Sequence, residues 1–238
     1  VVAVTGAARG IGRAIAELII ACGGTVKALD VNADGLRESA GEVGAAYQPV
    51  VVNLTDDDDI ARAVAECGPL DGLVNSAGVA MFEPFFETSR KAYDLQMAVN
   101  VRGLMQMTQL VTAGMAERIR AGAAPHANFA VVNISSQSSA IALVDHLVYS
   151  TTKAAVDHIT HITAAELASL GIRVNAVNPT VVRTELAEKA WGEEGLAKIA
   201  KKIPLGRLAE PADVAKAVAF LLSEHASMIT GVTLRVDG

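Results

Sequence analysis

The sequence predicts an α/β chain built on a doubly wound, seven-stranded parallel sheet with helices on both faces, and three observations predict it. Short Val-rich runs recur between longer amphipathic stretches, those runs are continuously apolar, and aromatic residues make up only 4% of the 238 residues. A strand that reads as an unbroken apolar run is covered on both faces, and connections long enough for crossover helices make neighbouring strands parallel. A core filled by small aliphatic side chains suits close helix-on-sheet layers. The chain is expected to form one domain, 1–238, because α/β domains commonly reach this size undivided.

The seven expected strands are Val1–Val4, Thr25–Leu29, Gln48–Val52, Gly72–Val74, Phe129–Ile134, Ile172–Val177 and Gly231–Val236. Thr55 followed by Asp56–Asp59 reads as a helix start, with a capping hydroxyl and carboxylates at the positive end of the helix dipole. Glu210-Pro211-Ala212-Asp213 reads the same way, with Pro at the first helical position, and introduces the apolar face of Val214, Val218 and Leu221–Leu222.

The formal charge of −6 opposes electrostatic capture of nucleic acid or of an anionic membrane, which leaves small molecules as the expected partners. Cys22 and Cys67 have neither CxxC spacing nor companion His residues, so no disulfide framework and no metal site is expected, and both are read as buried small hydrophobes. No apolar run approaches the ~20 residues of a membrane span, and no basic segment leads into a hydrophobic signal region, so the default location is cytoplasmic.

The first strand runs into Thr5-Gly6-Ala7-Ala8-Arg9-Gly10-Ile11-Gly12, after which Arg13–Ile20 continues as a helix. Glycines permit a tight turn and close backbone approach, and the helix N-terminus offers unpaired N–H groups to a pyrophosphate, as in Rossmann-type folds. The spacing is G-x-x-x-G-x-G instead of G-x-G-x-x-G, and alone it also describes an ordinary strand-to-helix turn. Asp30 ends the second strand, where a carboxylate can accept both hydroxyls of an adenosine ribose and would repel a 2′-phosphate; a solvated turn residue is the alternative. Arg9, Arg13 and Lys27 keep NADP open, but Val31 adds no positive charge, so NAD is the expected cofactor.

Tyr149 and Lys153 lie one helical turn apart, so an ammonium can favour the phenolate of a side chain that otherwise titrates near ~10. A surface pair on a helix is the bland alternative. Ser136 comes thirteen residues earlier, just past the Phe129–Ile134 strand, where a hydroxyl faces the ligand crevice of an open sheet.

Taken together, the glycine loop, Asn75-Ser76-Ala77-Gly78, Asn100, Ser136, Tyr149-x-x-x-Lys153 and Asn178-Pro179 resemble the short-chain dehydrogenase/reductase family across essentially the whole chain. The resemblance implies a tetrad of Asn100, Ser136, Tyr149 and Lys153. Ser136 would hold the substrate oxygen, Tyr149 exchange the proton, Lys153 lower its pKa and bind the nicotinamide ribose, and Asn100 support a water relay. It further implies a nicotinamide cofactor held by Gly6, Arg9, Gly10, Ile11, Gly12, Asp30, Asn53, Leu54, Asn75, Ala77, Gly78, Tyr149 and Lys153, with Pro179, Val182 and Thr184 at the carboxamide. Two departures stand out: Asn-Ser-Ala-Gly replaces the usual Asn-Asn-Ala-Gly, and Asn53 replaces an acidic residue that reads the adenine amino group, a task its amide oxygen can still perform.

Within the family the chain is most similar to members acting on small keto-sugars and dicarbonyls, through Val132-Asn133-Ile134-Ser135-Ser136-Gln137, His146, the stretch Asn175 to Val182, Trp191 and Ile203-Pro204-Leu205-Gly206. That likeness implies that Ser136, Gln137, His146 and Trp191 face a polyhydroxylated or dicarbonyl substrate. With NAD the expected direction is oxidation of a polyol to a ketose, since cells hold the NAD pool oxidised. Oxoacyl, steroid or other apolar carbonyls are the alternative substrates, against which a polar pocket of Gln137, Asp145 and His146 argues; a nucleotide-binding regulator without turnover is the alternative from another class. The resemblance also implies a homotetramer paired through helices at about Val101–Ala121 and Tyr149–Leu170.

Overall fold

The computed structural model describes residues 1–122 and 128–238. Among them, seven strands form one wholly parallel sheet: β1 (Val2–Thr5), β2 (Val26–Asp30), β3 (Tyr47–Val51), β4 (Gly72–Asn75), β5 (Ala130–Ile134), β6 (Arg173–Pro179) and β7 (Thr233–Val236), in the spatial order β3-β2-β1-β4-β5-β6-β7. Every expected strand is present, displaced by a residue or two at its ends. The order reverses between β1 and β4, and in an open α/β sheet such a switch point opens a ligand crevice beyond the carboxyl ends of the strands.

Alternate residues of each strand feed opposite faces. Val4 joins Ile15, Ile19, Val214, Val218 and Leu221, which belong to α1 (Gly10–Ala21) and α8 (Pro211–Leu222). Ala3 and Leu73 join Ile60 of α3 (Asp57–Cys67), Met107, Val111 and Met115 of α5 (Leu104–Arg120), and Ala164 of α6 (Leu147–Leu167). The remaining helices are α2 (Ala33–Val43), α4 (Arg90–Met97), which runs through a π-type turn at Ala98–Gly103 into α5, and α7 (Glu185–Ala200), kinked at Gly192, where φ is +60°. The α5 and α6 helices correspond to the two expected pairing helices.

Three expectations are corrected. The cap of α3 is Asp56, whose carboxylate accepts the N–H groups of Asp58 and Asp59 at 3.0 and 3.1 Å; Thr55 sits one residue outside the helix, and its hydroxyl donates to Asn53 instead. Cys22 is exposed, because it closes the C-terminus of α1, whereas Cys67 is buried as expected. Asp145 does not line the central cavity: at φ +63° it turns its backbone into the structure and leaves its side chain outside. The start of α8 is as read, with the Asp213 carboxylate accepting the N–H of Glu210 at 2.9 Å. No helix among the described residues is long and apolar enough to cross a membrane.

Candidate active site

A cavity of roughly 440 Å³ lies beyond the carboxyl ends of the central strands and extends from Asp30 and Asn53 at one end to Phe82 and Trp191 at the other. At the first end, Gly6 and Gly10 adopt φ of +68° and +58°, and a Cβ on Gly12 would stand 2.2 Å from the Gly6 carbonyl oxygen. The turn therefore folds back on itself so tightly that only glycine fits. α1 begins here without a side-chain cap and without an acidic residue in its first turn, in contrast to α3 with Asp57, Asp58 and Asp59. Its N–H groups and the positive end of its dipole remain available to an anion such as a pyrophosphate. Thr5 ties this turn to the next one, since its Oγ1 accepts the N–H groups of Ser76 and Ala77, each at 3.0 Å.

Asp30 lines the cavity at the end of β2, and its carboxylate accepts the N–H of Ala8 at 3.1 Å and of Asn32 at 2.9 Å. Of the cations that keep NADP open, Arg9 pairs with Glu185 at 3.3 Å and Arg13 is engaged by both Glu17 and Glu42, while Lys27 does not line the cavity. Ile11, Leu54, Ala77 and Gly78 line the wall as expected. Asn53 does so as well, but its amide oxygen already accepts the N–H and hydroxyl of Thr55 at 3.0 and 2.9 Å.

Asn75 departs from expectation, for it is buried behind the cavity. Its Nδ2 donates to Thr108 Oγ1 at 2.9 Å and to Asn133 Oδ1 at 2.8 Å, and Asn133 in turn donates to Thr160 Oγ1 at 2.9 Å. This ladder joins β4 and β5 to α5 and α6.

Asn100, in the π-type turn, is likewise fully engaged: Oδ1 accepts the Val79 N–H at 2.9 Å, and Nδ2 donates to the Val79 carbonyl at 2.8 Å and to Thr152 at 3.1 Å. One turn earlier Gln96, wholly buried and not singled out from sequence, clamps Met81 in the same way through its N–H and carbonyl, both at 3.2 Å.

Tyr149 and Lys153 rise from the first turns of α6 beside Ser136, which lies two residues past the end of β5. Lys153 is buried, and Nζ donates to the Ile134 carbonyl at 2.8 Å, 5.7 Å from the Tyr149 ring. Burial lowers its pKa from 10.5 to about 8, against the opposing pull of the Asp157 carboxylate. Burial raises the Tyr149 phenol, and the Ser136 hydroxyl pulls it back. Asp157 also holds the Asn178 amide at 3.0 Å, and the same Nδ2 donates to Ser139 Oγ at 2.9 Å and to the Ser136 carbonyl at 3.2 Å. The opposite wall contains Pro179, Val182 and Thr184; Thr184 caps α7 and approaches Gly10.

Gln137, His146 and Trp191 all line the far end, joined by Phe82, which no sequence motif marks. The His146 Nδ1 faces the Val144 carbonyl, an acceptor only, so Nδ1 carries the proton and Nε2 is the nitrogen left to accept.

Comparison with known proteins agrees with this architecture. The family model described as enoyl-(acyl carrier protein) reductase matches residues 6–238. L-xylulose reductase of Bos taurus is 42% identical over 240 residues, covering 99% of this chain and 93% of that protein, and D-threitol dehydrogenase of Mycolicibacterium smegmatis is 40% identical over 243 residues, covering 99% and 90%. A 3-ketoacyl-(acyl-carrier-protein) reductase from Brucella melitensis, solved as a complex with NADH, superposes with a TM-score of 0.91 at 33% identity over 100% of this chain and 96% of that one. Sheet order, glycine turn, Tyr-x-x-x-Lys pair and full-length similarity together establish that the chain belongs to the short-chain dehydrogenase/reductase family of nicotinamide-dependent oxidoreductases.

Proposed function

We propose that the protein oxidises a secondary alcohol of a short polyol to the ketose with NAD, and that Ser136, Tyr149 and Lys153 carry the proton chemistry. The observation that carries this reading is the convergence of those three residues on one cavity whose far end is lined by two polar side chains, Gln137 and His146, with Nε2 of the latter not engaged by Val144. The relatives named for L-xylulose and D-threitol support the substrate class.

A bound nicotinamide would supply the hydride acceptor for the carbinol carbon. Ser136 Oγ holds the substrate oxygen, and Tyr149, as phenolate, takes the alcohol proton as the carbonyl forms. The Lys153 ammonium, kept charged at neutral pH with help from Asp157, favours that phenolate and binds the ribose. Asn100 acts by holding Val79 against α6. Gly6, Gly10 and Gly12 with the uncapped start of α1 hold the pyrophosphate, and Asp30 takes the ribose diol in place of its bonds to Ala8 and Asn32. The engagement of Arg13 by both Glu17 and Glu42, with Arg9 also facing a carboxylate in Glu185, supports NAD over NADP, because both guanidiniums already have anionic partners.

The exposed Met105 of α5 and the exposed Leu147 and Ile162 of α6 support assembly through these helices into a homotetramer.

Initial rates with NAD and NADP across pentitols, tetritols, hydroxyacyl and steroid alcohols test the assignment. NAD-dependent polyol turnover is the expected outcome, with Asp30→Ala narrowing the preference for NAD over NADP by about tenfold or more. Activity confined to the apolar alcohols would overturn the substrate class.

A further inference from the structure

Phe82 is the ring that the other rings of the cavity share. Its centroid lies 4.1 Å from His146 with planes 29° apart, 5.6 Å from Trp191 at 34°, and 5.8 Å from Tyr149 at 84°, whereas His146 and Trp191 are 6.5 Å apart. These rings come from four segments: the loop after β4, the turn before α6, α6 itself and α7. Offset-stacked and edge-to-face contacts at such separations are favourable beyond the area they bury, so the wall is held together through its central member.

The segment that presents Phe82 is pinned on either side. Val79 is held by Asn100, Met81 by Gln96, and the Glu83 N–H donates to the Asp145 carbonyl at 3.0 Å. The Glu83 carboxylate accepts the Ser89 N–H and hydroxyl at 2.7 and 2.9 Å, which anchors the loop to the start of α4. Phe82 stands between two fixed residues: swinging its ring aside would break the stack on His146, and shifting its backbone would break these bonds.

We propose that Phe82 is a specificity-determining residue that sets the width of the substrate end of the cavity, so that it admits slender polyhydroxylated chains and turns away bulky apolar alcohols. The inference rests on the polyol reading given above. The ring face accepts the C–H edge of a short chain while Gln137 and His146 Nε2 take its hydroxyls; a branched or ring-bearing alcohol meets the Phe82 ring itself. Pocket shape of this kind discriminates by roughly 10–200-fold per methylene-sized group.

The test compares wild type, Phe82→Leu and Phe82→Ala for kcat/KM with xylitol and with 1-phenylethanol, using NAD, alongside NADH affinity and the emission of Trp191, which is the chain's single tryptophan. The expected result is that the ratio of xylitol to 1-phenylethanol falls by about tenfold or more in Phe82→Ala and by less in Phe82→Leu. NADH affinity should stay within about twofold, and Trp191 emission should shift as its neighbouring ring is lost. A ratio unchanged in both variants, or equal losses on both alcohols, overturns the inference; if Phe82→Ala does not fold, Phe82→Leu decides in the same terms. The two readings fail separately. A wild type that turns over only 1-phenylethanol removes the polyol assignment, and the rate gain or its absence in the variants on that same alcohol still decides whether Phe82 sets the width.

Discussion

Replacing Lys153 with Met removes a buried ammonium and keeps an unbranched side chain, and the consequence for stability is measurable without any substrate. Burial depresses this group from 10.5 to about 8. At roughly 1.4 kcal/mol per pH unit, carrying the charge costs the folded protein about 3 kcal/mol wherever both folded and unfolded chains are protonated, which is below pH 8. Between pH 8 and 10.5 the unfolded chain holds this proton more firmly than the folded one, so stability rises with pH through that window. About 2 kcal/mol of the cost is recovered between pH 7 and 9.5. Lys153→Met carries no such dependence. Urea unfolding of both proteins from pH 7 to 9.5 should show wild type gaining about 2 kcal/mol on the variant, other titrations cancelling in the difference to the extent that they are independent of this site. A flat difference, or one that moves the opposite way, would refute the argument that burial outweighs Asp157 at this position.

Tyr149→Phe should lower turnover by about 10²–10⁴-fold, as measured by initial rates, while NADH titration shows binding nearly unchanged. In Gly12→Ala the new Cβ would meet the Gly6 carbonyl at 2.2 Å, so NADH affinity should fall by about tenfold or more when titrated directly. Asn133→Leu removes one partner each from Asn75 and Thr160 in a buried ladder and should cost about 2–4 kcal/mol in chemical unfolding, with the ratio of NAD to NADP rates unchanged.

The sheet was legible because both of its faces are covered, which leaves each strand an unbroken apolar run between turn residues. Strand ends were less so, since hydrogen bonding sets them: β6 continues through polar Asn178 to Pro179 because Thr180 still donates to Val236 of β7. The glycine turn and the Tyr149–Lys153 pair carry their spacing within a few residues and were readable for that reason. Phe82 and Gln96 were not, because their partners lie elsewhere in the chain: His146 and Trp191 are remote from Phe82, and Gln96 grips a backbone, which has no sequence signature. Asn75 shows the converse, since a buried structural amide and a ligand-binding amide are the same letter. Asp145 looked like a pocket acid, but its left-handed backbone turns the main chain inward toward Glu83.

The Asn75 and Asn133 ladder carries a further consequence. The two residues sit directly opposite each other in the register of β4 and β5 and are preceded on both strands by interchangeable apolar side chains. Leu and Val would tolerate a slip of β5 along β4 almost without loss, but two buried amides would not, because the slip would separate them and take Asn133 away from Thr160. Such a slip would also carry Ser136, two residues past the end of β5, about 3.3 Å along the strand and out of reach of Tyr149. A pair of side chains that never meets substrate thus acts as a gauge, fixing to within one residue where the hydroxyl arrives relative to the phenol.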